Sequence, residues 1–321
     1  MAETLTVVVP CYNEAEVLPL FHARAIAALA ETGTDWMLLY VNDGSTDATL
    51  DAMHTLPGAT VLNLSRNFGK EAAATAGIDH ATGDAVILID ADLQDPPELI
   101  PELVRRWRQG FDMVYAQRRA RDGDSWFKRR TARAFYRVMQ GVGRVSLPPD
   151  TGDFRLMSRR VVEALGRLRE QHRFMKGLFA WVGYPTCAVP YDRAPRAAGT
   201  TKWTYWRLWN FALDGITGFT VMPLKIATYF GLLVAVVAVI YGALILVRTL
   251  LIGNPVPGYP SLLVVVLFLG GVQLMTLGVI GEYLGRVFNE TKQRPLYLVE
   301  SVALNKTTSE PEASPGRSDG G

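Results

Sequence analysis

The first 115 residues alternate short apolar runs with segments of helical periodicity. The apolar runs predict β-strands at residues 5–9, 36–41, 60–64 and 85–89. The helical patterns between them fall at Val17 to Leu29, Glu71 to His80 and Leu99 to Trp107, with Pro97 suited to the first turn of the last helix. Because nearly continuous apolar strands alternate with helices, the pattern predicts an α/β fold with a mostly parallel sheet covered on both faces.

Polar clusters follow three of the predicted strands, at residues 10–14, 42–47 and 90–92. In an open parallel sheet, ligands bind beyond the carboxyl ends of the strands, so the clusters are expected to converge on one nucleotide. In this arrangement Tyr12 would pack against a base or ribose, and Asp43 would accept hydrogen bonds from a base imide. The cluster at 42–47 alone is equally compatible with an ordinary turn, and the cluster at 10–14 alone is also a weak signal.

The chemically strongest segment is the end of the fourth strand, where an apolar run stops at Asp90 and Asp92. Gln94 follows, and a Pro-Pro pair then precedes the next helix. These side chains offer hard oxygen ligands, which suit a divalent cation that also holds phosphates. The segment therefore predicts a Mg²⁺ or Mn²⁺ site on a diphosphate, with Asp90 and Asp92 also able to hold a sugar hydroxyl.

Two uncharged segments, 226–247 and 261–281, are each near the length of about 20 residues that spans a bilayer. The loop between them, 253–260, is rich in Pro and Gly, so the pattern favours a helical hairpin over buried soluble helices. Basic residues lie before the first span and after the second, at Lys202, Arg207, Lys225, Arg286, Lys292 and Arg294. The positive-inside rule then places both termini in the cytoplasm of a multi-pass inner-membrane protein.

Net charge adds little to this picture, because a value of +2 gives no general argument for nucleic-acid binding. The basic residues are nevertheless concentrated between Arg118 and Arg144. Near a membrane such a cluster indicates contact with phosphate or anionic lipid, although a solvated helix face is the alternative. Cys11 and Cys187 lack metal or redox spacing and are expected to be free thiols in a reducing compartment.

These observations predict a chain organised around a membrane hairpin. The expected parts are a cytoplasmic domain (1–200), an interfacial juxtamembrane helix (201–223), transmembrane helices (224–248 and 261–284), a cytoplasmic return segment (285–304) and a disordered tail (305–321). The aromatic residues that begin at Trp203 suit the headgroup layer. Gly270, Gly271, Gly278 and Gly281 would permit close helix contacts, compatible with a homo-oligomer.

Six motifs lie along the chain: Pro10-Cys-Tyr-Asn-Glu14, Asn42-Asp-Gly-Ser-Thr-Asp47, Asn67-Phe-Gly-Lys70, Asp90-Ala-Asp-Leu-Gln-Asp-Pro-Pro-Glu98, Asp150-Thr-Gly-Asp-Phe-Arg155 and Arg196-Ala-Ala-Gly-Thr-Thr-Lys-Trp203. They closely resemble motifs of the family 2 inverting glycosyltransferases, and in particular of the polyprenyl-phosphate type that includes dolichol-phosphate mannose synthases and bactoprenol glucosyltransferases. The resemblance covers roughly residues 4 to 300 and implies a GT-A, Rossmann-like domain. Asn42 departs from it, since many relatives carry Asp there, and so do Thr200 and Thr201.

The resemblance implies transfer of one sugar, with inversion, from a nucleotide sugar to a membrane polyprenyl phosphate. UDP-glucose and undecaprenyl phosphate are the first choices, and the product would serve cell-envelope glycosylation with a flippase acting downstream. The implied nucleotide-sugar contacts are Pro10, Tyr12, Asn13, Glu14, Asp43, Lys70, Asp90, Arg196 and Lys202. The implied lipid-phosphate contacts are Arg118, Arg129 and Arg133. Asp153 would be the catalytic carboxylate beside Asp90 and Asp92, and Asp90, Asp92 and Gln94 would hold the metal.

Two other classes of protein share part of this pattern. A processive polysaccharide synthase usually has more spans and a Gln-x-x-Arg-Trp motif, where this chain reads Gln171-His-Arg-Phe-Met-Lys176. A non-catalytic membrane scaffold that binds nucleotide sugar has no need for the charges of Asp90 and Asp92. The sequence therefore favours the single-sugar transferase, while leaving the sugar itself open between glucose, N-acetylglucosamine, galactose, mannose and aminoarabinose.

Overall fold

A computed structural model describes residues 3–119, 151–171, 173–192, 222–252 and 258–305. Four predicted ligand-binding residues lie outside these ranges: Arg129, Arg133, Arg196 and Lys202. Most of the predicted juxtamembrane segment and all but the first residue of the predicted tail also lie outside them.

One mixed sheet of eight strands organises the described part of the chain. The strands are β1 (Thr4–Cys11), β2 (Asp35–Asn42), β3 (Ala59–Leu64), β4 (Ala85–Leu88), β5 (Met113–Arg118), β6 (Thr151–Ser158), β7 (Thr186–Tyr191) and β8 (Val299–Leu304). Their order in the sheet is β7-β5-β6-β4-β1-β2-β3-β8. The predicted α/β fold is confirmed: β1 to β4 are mutually parallel, β5 and β7 share their direction, and β6 and β8 run opposite.

The helices cover both faces of the sheet. They are α1 (Leu18–Ala30), α2 (Thr49–Thr55), α3 (Lys70–His80), α4 (Ile100–Arg108, after a 3₁₀ turn at Pro97–Leu99), α5 (Arg159–Gly166) and α6 (Met175–Trp181). Alternate residues of β1 point to opposite sides, so Val7 and Val9 pack in a core with α1, α2 and α4, whereas Val8 packs with α3, α5 and α6. Gly77 of α3 lies so close to Val8 that a Cβ atom would overlap it, which explains why a helix of small residues covers the centre of the sheet.

Two long helices, α7 (Met222–Ile252) and α8 (Tyr259–Thr291), contact each other. Each contains a segment long and apolar enough to cross a membrane, Leu224–Ile245 with a mean hydropathy of 2.3 and Val264–Thr291 with 2.2. Many of their described apolar side chains, such as Leu244 and Leu274, are exposed. Both helices extend beyond the uncharged runs seen in the sequence, and α8 includes Glu282 and Arg286, which form an ion pair of 3.0 Å.

After α8 the chain returns to the sheet. The sequence pattern predicted a return segment at 285–304 but did not predict that it contains a strand of this sheet. β8 pairs antiparallel with β3, for example Ala303 with Val61. Just before β8, the carbonyl of Leu298 accepts a hydrogen bond of 3.0 Å from the Ser65 N–H. The sheet edge beside β3 is therefore made by residues that follow both long helices.

Candidate active site

The loops after β1, β2 and β4 meet at one edge of the sheet because these strands are parallel neighbours. Asn13 joins the first two loops: its N–H donates to Ser45 Oγ at 3.1 Å, and its Oδ1 accepts from the Thr46 N–H at 2.9 Å. The φ angle of Asn13 is 57°, in the left-handed region that Asn tolerates better than most residues. Asn13 thus holds two loops together by its backbone and its side chain.

The other predicted contacts of the first loop differ in exposure. Tyr12 is 40% exposed, so its ring is accessible to a base or ribose. Pro10 lies in the paired part of β1, opposite Val41. The N–H of Glu14 donates to Thr49 Oγ1 at 2.8 Å, which ties the start of the following turn to α2.

Asp43 is buried, and its carboxylate holds the loop that follows β3. Its Oδ1 accepts from the Phe68 N–H at 2.7 Å and its Oδ2 from the Gly69 N–H at 3.0 Å. Burial raises the pKa of Asp43, and these two hydrogen bonds oppose that rise. Gly44 has a φ of +61°, and a Cβ there would overlap the backbone of Arg66 and Asn67. The structure therefore gives Asp43 a definite role in shaping the loop that ends at Lys70, beside its predicted role as a base contact.

Lys70, the first residue of α3, bridges two carboxylates from different strands. Its Nζ lies 2.7 Å from Asp90 Oδ2 and 2.6 Å from Asp153 Oδ2. The Lys70 side chain is 49% exposed and that of Asp153 only 16%. The bridge thus brings together three residues that the sequence resemblance places in the active site.

The charges around this bridge set the protonation of Asp153. Burial alone would raise the pKa of Asp153, but Lys70 and Lys176 outweigh it and lower the pKa to about 2. Burial raises the pKa of Asp90, and Lys70 opposes this rise. The pKa of Lys70 is raised because both carboxylates outweigh the effect of its burial. Asp153 is therefore ionised at neutral pH and is a weak base.

A second set of charged residues lies behind Asp153. Arg155 is 4% exposed, packs 3.7 Å from the ring centroid of Phe179, and donates to the Gly152 carbonyl at 2.8 Å and to the Asp153 carbonyl at 3.2 Å. Through these two hydrogen bonds Arg155 holds the backbone that carries Asp153. Burial lowers the pKa of Arg155 to about 10. Burial of Glu71 and the negative charge of Asp153 raise the pKa of Glu71 to about 7.

The turn after β4 is tight. Leu93 has a φ of 58°, and the Gln94 N–H donates to Asp92 Oδ1 at 3.1 Å. Among the described residues, no group of three or more His, Cys, Asp or Glu side chains could hold a metal ion. Two carboxylates and a carboxamide still fit Mg²⁺ or Mn²⁺ when substrate phosphates and water supply the remaining oxygens, as is usual for Mg²⁺. Asp90, Asp92 and Gln94 are the residues that would hold it.

Arg118, the one predicted lipid-phosphate contact that is described, ends β5 and reaches the same site. Its Nε donates to the Tyr191 hydroxyl at 3.2 Å, and its Nη2 lies 3.9 Å from Asp95 Oδ1. The Tyr191 hydroxyl in turn donates to buried Asp95. A Cβ added to Gly152 would lie 3.5 Å from Arg118 Nη2, so this guanidinium is next to the segment that carries Asp153.

Sequence reasoning did not single out Asp95, Tyr191, Glu71, Lys176 or Arg155. Asp95 and Arg155 stand inside motifs that were recognised, so their positions gave a usable signal. Tyr191 gave none, because its contact with Arg118 arises from the parallel register between β5 and β7. Lys176 similarly depends on how α6 packs against the sheet.

Two family descriptions match the chain. Glycosyl transferase family 2 matches residues 6–166, which include nearly all of β1, all of β2 to β6, and the charged and polar residues of the described site except Lys176 and Tyr191. The GtrB C-terminal hairpin matches residues 206–287, which include α7 and most of α8.

Several relatives align along nearly the whole chain. An uncharacterized glycosyltransferase of Synechocystis sp. is 53% identical over 94% of this chain and 96% of its own length. A prophage bactoprenol glucosyl transferase homolog of Escherichia coli is 48% identical over 93% of this chain and 99% of its own length. The bactoprenol glucosyl transferase of Shigella phage SfX is 48% identical, covering 92% of this chain and 99% of its own length.

Two solved structures are similar to about two thirds of the chain, with lower sequence identity. Glucosyl-3-phosphoglycerate synthase from Mycobacterium tuberculosis, in complex with Mn²⁺, UDP-glucose and phosphoglyceric acid, is 22% identical with a TM-score of 0.45, covering 66% of this chain and 76% of that chain. Mannosyl-3-phosphoglycerate synthase from Rubrobacter xylanophilus is 18% identical with a TM-score of 0.46, covering 66% and 71%. On the family match and the near full-length relatives, the chain belongs to glycosyl transferase family 2 and carries the GtrB C-terminal hairpin.

Proposed function

We propose that this glycosyltransferase moves one glucose, with inversion, from UDP-glucose to the phosphate of undecaprenyl phosphate at the cytoplasmic face of the inner membrane. The observation that carries the proposal is the Lys70 bridge between Asp90 and Asp153, on a domain joined to a hairpin long enough to cross a membrane. The names of the bactoprenol glucosyl transferase relatives support the choice of glucose and of a polyprenyl acceptor.

The acceptor chemistry agrees with the low pKa of Asp153. A phosphate monoester has a second pKa of about 6, so its oxygen is already a nucleophile at neutral pH. This oxygen attacks the anomeric carbon as the bond to the UDP oxygen breaks, and the electron pair leaves with UDP. No proton has to be removed, which suits a carboxylate whose pKa is about 2. Asp153 then orients the sugar or the acceptor, and a single displacement converts an α-linked donor into a β-linked product.

The larger electrostatic problem is that an anion must approach a donor whose leaving group is also an anion. The half-exposed ammonium group of Lys70 lies beside Asp90 and Asp153, within reach of a diphosphate bound over the strand ends. Arg118 is suited to bidentate contact with a phosphate, and Arg129, Arg133, Arg196 and Lys202 are proposed to add to it. A divalent cation held by Asp90, Asp92 and Gln94 would supply Lewis-acid stabilisation of the leaving diphosphate.

The hairpin would place the site close to the acceptor's phosphate. α7 and α8 are proposed to span the bilayer with both termini in the cytoplasm, as the positive-inside rule predicts for Lys225, Lys292 and Arg294. A hairpin of two helices anchors the domain and leaves little room for a polysaccharide channel. A homo-oligomer and a flippase that receives the product remain part of this proposal.

The test is transfer of radiolabelled sugar from a panel of UDP- and GDP-sugars to undecaprenyl phosphate by the full-length protein in detergent. We expect one donor to label the lipid, EDTA to stop labelling, and Mg²⁺ or Mn²⁺ to restore it. NMR of the product should show a β-linkage, and an α-linkage would contradict inversion.

Asp92→Ala provides the catalytic control, with Asp51→Ala, an exposed carboxylate on α2, as the matched variant. Asp92→Ala should abolish transfer in a folded protein, whereas Asp51→Ala should leave it unchanged. A growing polymer in place of a single-sugar product would identify a processive synthase. Absence of labelling with every donor would favour the scaffold interpretation.

A further inference from the structure

A chain of hydrogen bonds, with two buried asparagines at its centre and the exposed Glu300 at one end, connects the loop after β2 with the strand that follows the membrane hairpin. Asn63 Nδ2 donates to Glu300 Oε2 at 2.8 Å, and Asn42 Nδ2 donates to Asn63 Oδ1 at 2.7 Å. Asn42 Oδ1 then accepts from the Ser45 N–H at 3.2 Å, and Ser45 Oγ accepts from the Asn13 N–H at 3.1 Å. Asn42 and Asn63 are 2% and 7% exposed, so water cannot easily replace the hydrogen bond between them.

The hydrogen-bond chain from Glu300 through Asn63 and Asn42 to the Ser45 N–H is called the relay. Its two ends fix the direction of the hydrogen bonds between them. An ionised carboxylate can only accept hydrogen bonds and a backbone N–H can only donate them. With Glu300 at one end and the Ser45 N–H at the other, both amides between them have a single satisfied orientation. Turning either amide over would place two acceptors or two donors against each other, and leaving a buried polar group without its partner is unfavourable.

We propose that Glu300, Asn63 and Asn42 are positioning residues that set the nucleotide-binding loops from the return strand β8. This inference rests on the proposed function, in which the loops carrying Asn13 and Ser45 bind the nucleotide sugar. None of the three residues has to touch the substrate. Their effect is to hold the Ser45 N–H, and through Ser45 Oγ the Asn13 N–H, in the arrangement that joins the first two loops.

The relay also gives a physical reason for Asn at position 42. An Asp there would place a carboxylate oxygen against Asn63 Oδ1, since the Asn63 amide donates to Glu300. A neutral amide satisfies both neighbours, because it donates to Asn63 and accepts from Ser45. The identity of residue 42 is therefore coupled to that of residue 300, although more than 250 positions separate them.

This coupling predicts a specific pattern of variants. Glu300→Lys ends the relay with a donor, turns Asn63 over and sets Asn42 Nδ2 against the Ser45 N–H. Asn42→Asp produces the acceptor clash described above. In the double variant, the Lys at 300 donates to Asn63 Oδ1, Asn63 Nδ2 donates to the Asp at 42, and that Asp still accepts from Ser45, so every group is satisfied again.

The measurement is the KM for nucleotide sugar and the KM for undecaprenyl phosphate in the full-length enzyme. Each single variant should raise the donor KM about three- to tenfold, the effect of losing one buried hydrogen bond, with the lipid KM unchanged. The double variant should return to within about twofold of the wild type, since coupled pairs are not additive. Binding of UDP measured by calorimetry should follow the same pattern without turnover.

Two controls separate this relay from general damage. Glu300→Gln keeps an acceptor oxygen and should behave as the wild type, and Val302→Lys places a cation on exposed β8 without touching the relay and should do the same. Single variants with an unchanged donor KM, or a double variant as impaired as both singles combined, would overturn the proposal. If either single variant fails to fold, recovery of folded, active protein in the double variant supports the relay, and failure to recover contradicts it. A wild type that transfers no sugar refutes the proposed function instead, while the calorimetric pattern still tests the relay.

Discussion

The site has two sides that are held in place by different means. The proposed donor side consists of the loops after β1, β2 and β4, which are tied together through backbone groups: Asp43 accepts from two N–H groups, and Asn13 joins two loops. The proposed acceptor side consists of Asp153, Arg118, Asp95 and Tyr191, and side-chain contacts join the last three, which are far apart in the sequence. A change in backbone space should therefore damage the donor side more than the acceptor side, whereas loss of the Tyr191 hydroxyl should act on the acceptor side alone.

Lys70 belongs to both sides, so its loss should have the largest effect. Lys70→Met leaves Asp90 and Asp153 facing each other without the cation between them. We expect the transfer rate to fall by about 10²-fold or more, as for the loss of a preorganised electrostatic group. Lys292→Met, at the end of α8, is the matched control and should retain the wild-type rate. Near-normal turnover by Lys70→Met would show that the two sides do not depend on this bridge.

Gly44→Ala tests the backbone of the donor side. The φ of +61° and the overlap of a Cβ with Arg66 and Asn67 should together lower the free energy of unfolding by about 2–4 kcal/mol and weaken nucleotide binding. Gly33 has a similar φ of +66° but nothing within 4 Å of its Cβ position, so Gly33→Ala should cost only about 1 kcal/mol. Chemical denaturation and UDP calorimetry measure both effects. Equal losses of unfolding free energy in the two variants would mean that the positive φ alone destabilises the protein, and that the contact of residue 44 with Arg66 and Asn67 adds nothing.

Tyr191→Phe tests the acceptor side by removing one hydroxyl. Buried Asp95 loses a donor and Arg118 loses the acceptor of its Nε–H, so Arg118 should become less well oriented. The KM for undecaprenyl phosphate should rise about three- to tenfold while the KM for nucleotide sugar stays within twofold. Tyr184→Phe, on the loop before β7, serves as the control for loss of a tyrosine hydroxyl elsewhere. A rise in the donor KM alone would place Arg118 on the other side of the site.

The same contrast explains which parts the sequence revealed. Asp90, Asp92 and Asp43 follow strands that pair with their neighbours in a regular parallel order, so strand ends alone indicated that they lie together. Asp153 was found only through resemblance, and Arg118 through the resemblance and the basic cluster that it begins, because β5 and β6 are antiparallel neighbours whose strand ends do not point to one site. Glu300 could not have been found, since nothing local shows that residues after two long apolar helices return to pair with β3.

The smallest expected effect concerns the scaffold under the donor side, where His22 Nδ1 lies 2.9 Å from the Tyr40 hydroxyl in the core. Burial lowers the pKa of His22, so the unfolded state takes up its proton at a higher pH than the folded state does. This contribution to stability is present above the ordinary histidine pKa of about 6.5 and is lost as the pH falls toward the lower pKa of the folded state. In His22→Phe the midpoint of thermal unfolding should thus fall less between pH 7.5 and pH 5.5 than in the wild type, while His54→Gln, at an exposed position, should fall as the wild type does. If the midpoint of thermal unfolding fell as far in His22→Phe as in the wild type, the acid sensitivity would arise from the carboxylates around the site and not from His22.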